Sequence, residues 1–145
     1  MKTLFAVVCL MFIGCSLANE KYFTRSFGLN SVIETTAGGV LIQWESGMRN
    51  RVYGWKFDGI RKSLVYDGIA TSIIKVSYRE YYIDERTGGE AKQSFYQEFQ
   101  FDLNQSDLIT FQDIKIKVEY ANSESIQFKV LQPPAGFEEA QEVIK

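Results

Sequence analysis

In the run Ile114-Lys115-Ile116-Lys117-Val118-Glu119-Tyr120, apolar and polar residues alternate without a break. Successive side chains of an extended chain point to opposite faces, so Ile114, Ile116, Val118 and Tyr120 make a dry face while Lys115, Lys117 and Glu119 make a wet one. Ile126, Phe128 and Val130 against Gln127 and Lys129 repeat the pattern, as do Val40, Ile42 and Trp44 against Gln43 and Glu45. Strands with one apolar face must bury it against a second layer. The expected fold is therefore all-β, an antiparallel β-sandwich of about eight or nine strands, with a closed β-barrel as the alternative.

The rest of the chain keeps the same rhythm. Nine runs rich in Val, Ile, Tyr, Phe and Thr are expected as strands: 21–27, 31–36, 40–45, 51–57, 60–66, 69–83, 90–101, 109–120 and 126–131. Asp58-Gly59 and Asp67-Gly68 read as two-residue hairpin turns, since glycine tolerates positive φ. Ala37-Gly38-Gly39, Arg86-Thr87-Gly88-Gly89 and Ala121-Asn122-Ser123 mark further reversals. With no internal repeat or linker, residues 19–132 form one domain, followed by a tail from 133 to 145. In that tail Phe137, Ala140 and Ile144 stand among Glu138, Glu139 and Glu142, which leaves two readings, a short amphipathic helix or a disordered tail.

Residues 1–18 read as a signal peptide. Lys2 precedes an apolar run, Thr3 to Ile13, that is too short to span a bilayer, and Ser16-Leu17-Ala18 sets small residues where signal peptidase cuts. The mature chain then begins at Asn19 and is a secreted, extracellular protein. A rival pattern, Phe12-Ile13-Gly14-Cys15, is that of a bacterial lipoprotein, with Cys15 lipidated and the protein held at a membrane.

Composition removes several chemistries. The chain has no histidine, and both cysteines, Cys9 and Cys15, lie in the leader. Cys or Ser-His nucleophilic catalysis and the usual zinc sites are thereby excluded from residues 19–145. The full chain carries 16 basic against 18 acidic residues, a net charge of −2, which offers no basic field for nucleic acid. Asp and Glu alone suffice for a two-carboxylate hydrolase, and Glu80 and Glu98, expected on neighbouring strands, are the pair for it. The simpler reading makes them outward-facing polar positions. No enzyme is expected.

Three features are candidates for recognition. Tyr53, Trp55 and Phe57 recur at alternate positions; such a stripe is either a stacking platform for a ligand or, as buried aromatics ordinarily are in sheets, part of the core, which is the expectation. Tyr81 and Tyr82 must face opposite ways, so one ring of that pair is accessible beside Arg79. The segment from Asp102 to Asp107 carries oxygen side chains at alternate positions. Asp102, Asn104 and Ser106 with Asp113 have the spacing of a calcium loop, although Asp107 replaces the glycine such a loop turns on, and an Asx turn is the default. No cofactor is expected, with calcium at this loop as the alternative. Asn104-Gln105-Ser106 is also a glycosylation acceptor triplet.

The stretch from Ile74 to Val130, with Ile74-Lys75-Val76, the turn from Asp84 to Gly89, Ala91, Ile109-Thr110-Phe111 and Ile126-Gln127-Phe128-Lys129-Val130, resembles small secreted insect proteins related to a silk-moth multiprotein bridging factor. It lacks the glycine pair of that family's penultimate loop, and the resemblance brings no function with it. The functional expectation is a monomeric, non-catalytic binding module for a protein or carbohydrate, with Tyr53, Trp55 and Tyr81 as ligand contacts. The alternatives are a barrel-shaped carrier of a small apolar ligand and the carboxylate hydrolase.

Overall fold

A computed structural model describes residues 19–88 and 91–136. The leader with Cys9 and Cys15, Gly89, Glu90 and the tail from Phe137 lie outside the described residues. Nine strands are present among those described: β1 (Asn19–Arg25), β2 (Ile33–Thr36), β3 (Val40–Asn50), β4 (Lys56–Ala70), β5 (Ile73–Ile83), β6 (Lys92–Asp102), β7 (Leu108–Phe111), β8 (Ile114–Ala121) and β9 (Ser125–Gln132). They form two antiparallel sheets, a five-stranded one in the order β1-β3-β4-β5-β6 and a four-stranded one in the order β2-β9-β8-β7. The sheets are not closed into a barrel. The fold is a β-sandwich, with β1 and β6 at the edges of the larger sheet and β2 and β7 at those of the smaller among the described residues.

The inner faces meet in a core of the expected residues. Ile114, Ile116, Val118, Phe128 and Val130 from the smaller sheet pack with Ile42, Leu64, Ile74, Val76 and Trp44 from the larger. An aromatic cluster runs through the middle: Tyr78 and Phe99 both contact Phe111, at ring-centroid separations of 4.7 and 4.9 Å. Offset and edge-on rings at these distances add to area burial through their quadrupoles. The wet face stays wet, since Lys115 and Glu119 are exposed and Lys117, Gln127 and Lys129 are partly so.

Four expectations change. The run 51–57 is not a strand: β3 ends at Asn50, residues 51–53 turn, and β4 starts at Lys56. Asp58-Gly59 and Asp67-Gly68 are not hairpin turns. Both lie inside β4, a central strand of 15 residues, beside register shifts, one between Ser46 and Met48 of β3 and one between Tyr66 and Gly68. The positive φ that suits a hairpin turn suits a bulge equally, and here Asp58 has φ +48° and Gly68 φ +109°. Close backbone approach makes the first bulge depend on its glycines, because a Cβ on Gly47 would sit 2.6 Å from Gly59 Cα. The real β4–β5 reversal falls at Thr71-Ser72, and the run 109–120 divides into β7 and β8 at Gln112-Asp113. Finally, Tyr120 and Val40 leave the dry face, 55% and 41% exposed, each beside a register shift, between Val118 and Tyr120 of β8 and between Val40 and Ile42 of β3.

Candidate functional site

The loop joining β3 to β4 displays the largest exposed aromatic surface that sequence reasoning had assigned to the core. Val52, Tyr53 and Trp55 are 72%, 68% and 47% exposed, whereas Phe57, two residues on, is buried under the Arg86 guanidinium, 4.3 Å from its ring centroid. The alternate spacing of Tyr53, Trp55 and Phe57 therefore does not mark one strand face. Tyr53 and Trp55 instead stack on each other, with centroids 5.0 Å apart and planes inclined by 22°. The loop beneath them is tied by its own hydrogen bonds. Asn50 Oδ1 accepts from the backbone N–H of both Val52 and Tyr53 at 3.0 Å, Gly54 N–H donates to Asn50 O, and Asn50 N–H to Trp55 O. Gly54 makes the reversal at φ +75°. The outcome is a preorganised pair of rings standing in solvent.

Beside this loop the outer face of the larger sheet carries a charged cluster that sequence reasoning missed. Glu45, expected in the polar phase, is 3% exposed. Its Oε1 accepts from the Tyr22 hydroxyl and Lys56 Nζ, both at 2.9 Å, and its Oε2 from Arg61 Nε at 2.8 Å. Burial by itself would raise the carboxyl pKa, but the hydrogen bonds from Lys56, Arg61 and Tyr22 outweigh it and hold the group below its usual range. Tyr22 shifts upward, through burial and through donating to an ionised carboxylate. The wet-face alternation Gln43-Glu45 places Glu45 correctly on the outer face. Nothing in it shows that Tyr22, Lys56 and Arg61 converge there.

Tyr81 and Tyr82 do face opposite ways. Tyr82 is the exposed ring at 44%, and Tyr81 is half-buried on the outer face, in register with Arg61. Among the described residues no ring contact joins Tyr81 to Tyr53 or Trp55, which stack on each other. Asp102 accepts from the Asn104 backbone N–H at 3.0 Å and from the Ser72 hydroxyl at 2.8 Å, which is the Asx turn, and these bonds lower its pKa. Asn104 is exposed, its side-chain N–H donating to Ser72 Oγ at 2.8 Å, and Ser106 Oγ accepts from Leu108 N–H. Asp113 sits in the β7–β8 turn, at the far end of β7 from that loop, so the four oxygens do not encircle one point. Among the described residues no group of three His, Cys, Asp or Glu is placed to hold a metal ion.

Glu80 and Glu98 lie on adjacent strands but out of register, Glu80 opposite Phe95 and Glu98 opposite Ser77. Each carboxylate accepts from a tyrosine two residues earlier on its own strand, Tyr78 for Glu80 and Tyr96 for Glu98. Strand positions of opposite parity put them on opposite faces of the sheet, which separates them as a catalytic pair.

Fold and surface together define a two-sheet β-sandwich that carries an aromatic loop at one end. No protein-family model, no curated protein and no solved structure matches the chain.

Proposed function

We propose that this chain is a secreted, monomeric, non-catalytic binding module that recognises a protein or carbohydrate through the loop bearing Tyr53 and Trp55. The observation that carries the reading is the stacked, solvent-exposed Tyr53–Trp55 pair on a hydrogen-bonded loop. Exposed apolar rings contribute little to folding, while a ring pair already held in place loses little conformational freedom when a partner covers it. Aromatic side chains in such settings dominate binding energy at interfaces, and their faces also stack on the C–H faces of sugars. Asn104, exposed on a different loop, is the acceptor if a glycan is attached.

Replacing Trp55 by alanine tests this. The folded state should lose less than about 0.5 kcal/mol, as surface substitutions do, while retention on a panel of immobilised neutral oligosaccharides and extracellular protein domains should fall at least about tenfold for the member that binds the native protein. Native fluorescence should contain a red-shifted, iodide-quenchable component that disappears in the variant, leaving the blue-shifted emission of Trp44, which is 6% exposed. Collapse of the fold on removing Trp55, or undiminished binding without it, would overturn the reading.

A further inference from the structure

The larger sheet is longer than the smaller one, and its inner face runs on past it. Phe111, at the end of β7, touches Tyr78 of β5, and Gln132, at the end of β9, pairs with Lys115 beside the β7–β8 turn. The smaller sheet stops there, whereas β5 continues beyond Tyr78 to Ile83. Alternation and register put four apolar side chains beyond that limit on the same face as the core: Met48 of β3, Ile60 of β4, Tyr82 of β5 and Phe95 of β6. Ile60, Tyr82 and Phe95 are 42%, 44% and 46% exposed, and Met48 is half-buried. Lying on neighbouring strands, they form a band continuous with the core, and a contiguous apolar surface of this kind marks a docking site where single exposed residues do not.

The charges along this band are unbalanced. Glu80 accepts from the Tyr78 hydroxyl and lies 3.8 Å from Lys62, and Asp58 is met by Arg86 at 3.5 Å and by the Tyr82 hydroxyl at 3.4 Å. Lys21, opposite Met48 on β1, and Lys92, opposite Tyr82 on β6, are exposed and have no ion-pair partner among the described residues. An apolar band with an unanswered ammonium group at each end fits a segment that is apolar on one side and acidic on the other. β9 delivers one to this place. Its direction carries the chain toward the open end of the larger sheet, Pro133 and Pro134 stop strand pairing, Pro134 is buried, and Gly136 turns the chain at φ +85°. Nine residues follow, 137–145, outside the described ones. Wound as a helix they span about 13 Å, and the band from β3 to β6 is three strand spacings, about 14 Å, across. At about 100° per residue, Phe137, Ala140, Val143 and Ile144 fall on one side of such a helix and Glu138, Glu139 and Glu142 on the other.

We infer that the carboxy-terminal segment, residues 137–145, docks in cis as an amphipathic helix on this band, with Phe137 and Ile144 against Ile60 and Tyr82 and its glutamates along the flanks toward Lys21 and Lys92. Covering Ile60, Tyr82 and Phe95 removes apolar area from water. The tether from β9 makes the encounter intramolecular, an advantage a second copy of the chain lacks. The loop bearing Tyr53 and Trp55 takes no part, so the inference does not rest on that loop's role.

NMR of the isotope-labelled full chain, at a low and a high concentration, tests this. Nuclear Overhauser contacts should join the side chains of Phe137 and Ile144 to those of Ile60 and Tyr82, unchanged by dilution. Phe137→Asp combined with Ile144→Asp should abolish these contacts while the amides of Ile116 and Phe128 keep their native shifts, which shows the sandwich intact. In the same variant a glutamate-specific protease should cut after Glu139 and Glu142 at least about tenfold faster, since cleavage follows the population of the open form. Lys21→Glu combined with Lys92→Glu should speed that cleavage about threefold, the size expected of exposed charge pairs. Absence of the contacts, their loss on dilution, which assigns the band to a second copy, or native cleavage rates in either double variant would each overturn the inference.

Discussion

A carboxylate that sits in the polar phase of a strand and yet is 3% exposed has to be answered by cations, and Glu45 is answered by two, with a tyrosine hydroxyl beside them. Its pH dependence follows from the direction of its shift. The folded-state pKa lies below the ordinary 4.5, so between those two values the unfolded chain binds a proton that the folded chain does not. Stability from this group is full above about pH 4.5 and is lost as pH falls through the lower, folded value. Glu45→Gln should therefore cost on the order of 2 kcal/mol at pH 7, a figure held down because Lys56 and Arg61 are partly open to solvent. The variant's urea midpoint should also vary less than the native one's between pH 5 and pH 3, both about where carboxylates titrate. Equal midpoints at pH 7 would mean that the cluster contributes nothing.

At the scale of elements, alternation is the strongest organising signal and β8 is where it is cleanest. Ile116 is fully buried and Lys117 has a side chain 40% exposed, its amine near Asp107 and Glu119 at 4.0 and 3.9 Å. Ile116→Ala should cost about 2–5 kcal/mol from lost transfer energy plus the cavity left behind. Lys117→Ala should change stability by less than about 0.5 kcal/mol, because surface ion pairs at such distances add little. Urea denaturation of the two variants checks this, and similar losses at both positions would mean that the outer face of the smaller sheet is covered. Alternation fails where a register shift intervenes. Tyr120 is turned out after the shift at Val118, and Asp58-Gly59 and Asp67-Gly68 bend β4 instead of ending it. In both cases the residues are those expected, while the partner strand decides what their geometry is used for.

For the whole molecule, the exposed edge of β6 sets the question of association. An 11-residue edge strand bearing Phe95 and Tyr96, each 46% exposed, is a template for pairing with another chain. Lys92 and Glu98 are exposed along it, Glu98 held by the Tyr96 hydroxyl at 2.6 Å, and the β5–β6 register shifts between Glu80 and Tyr81. Charges and an irregular register are the usual devices against edge-to-edge growth. Sedimentation of the native protein should accordingly show one monomeric species. The double substitution of Lys92 and Glu98 by threonine should produce concentration-dependent association, and a native protein that already sediments as a dimer would show that these charges do not guard the edge.

By itself the sequence determines that strands with one dry face must close over a shared core, and it places Ile116, Phe128 and Val130 in that core. This information is carried residue by residue in the period of two, so no partner need be known to read it. The tertiary structure alone decides where β3 stops, which strand Glu45 is buried against and which aromatics are left outside. The same spacing that aligns Tyr53, Trp55 and Phe57 on paper is broken because Asn50 hydrogen-bonds to the backbone of Val52 and Tyr53, and Gly54 reverses the chain. Likewise, Gln43, Ser63 and Arg79 share a row only through the registers of β3 with β4 and of β4 with β5. Register couples residues distant in the chain, and its energy is realised only when the strands meet, which is why the faces can be read from the sequence while the sites on them cannot.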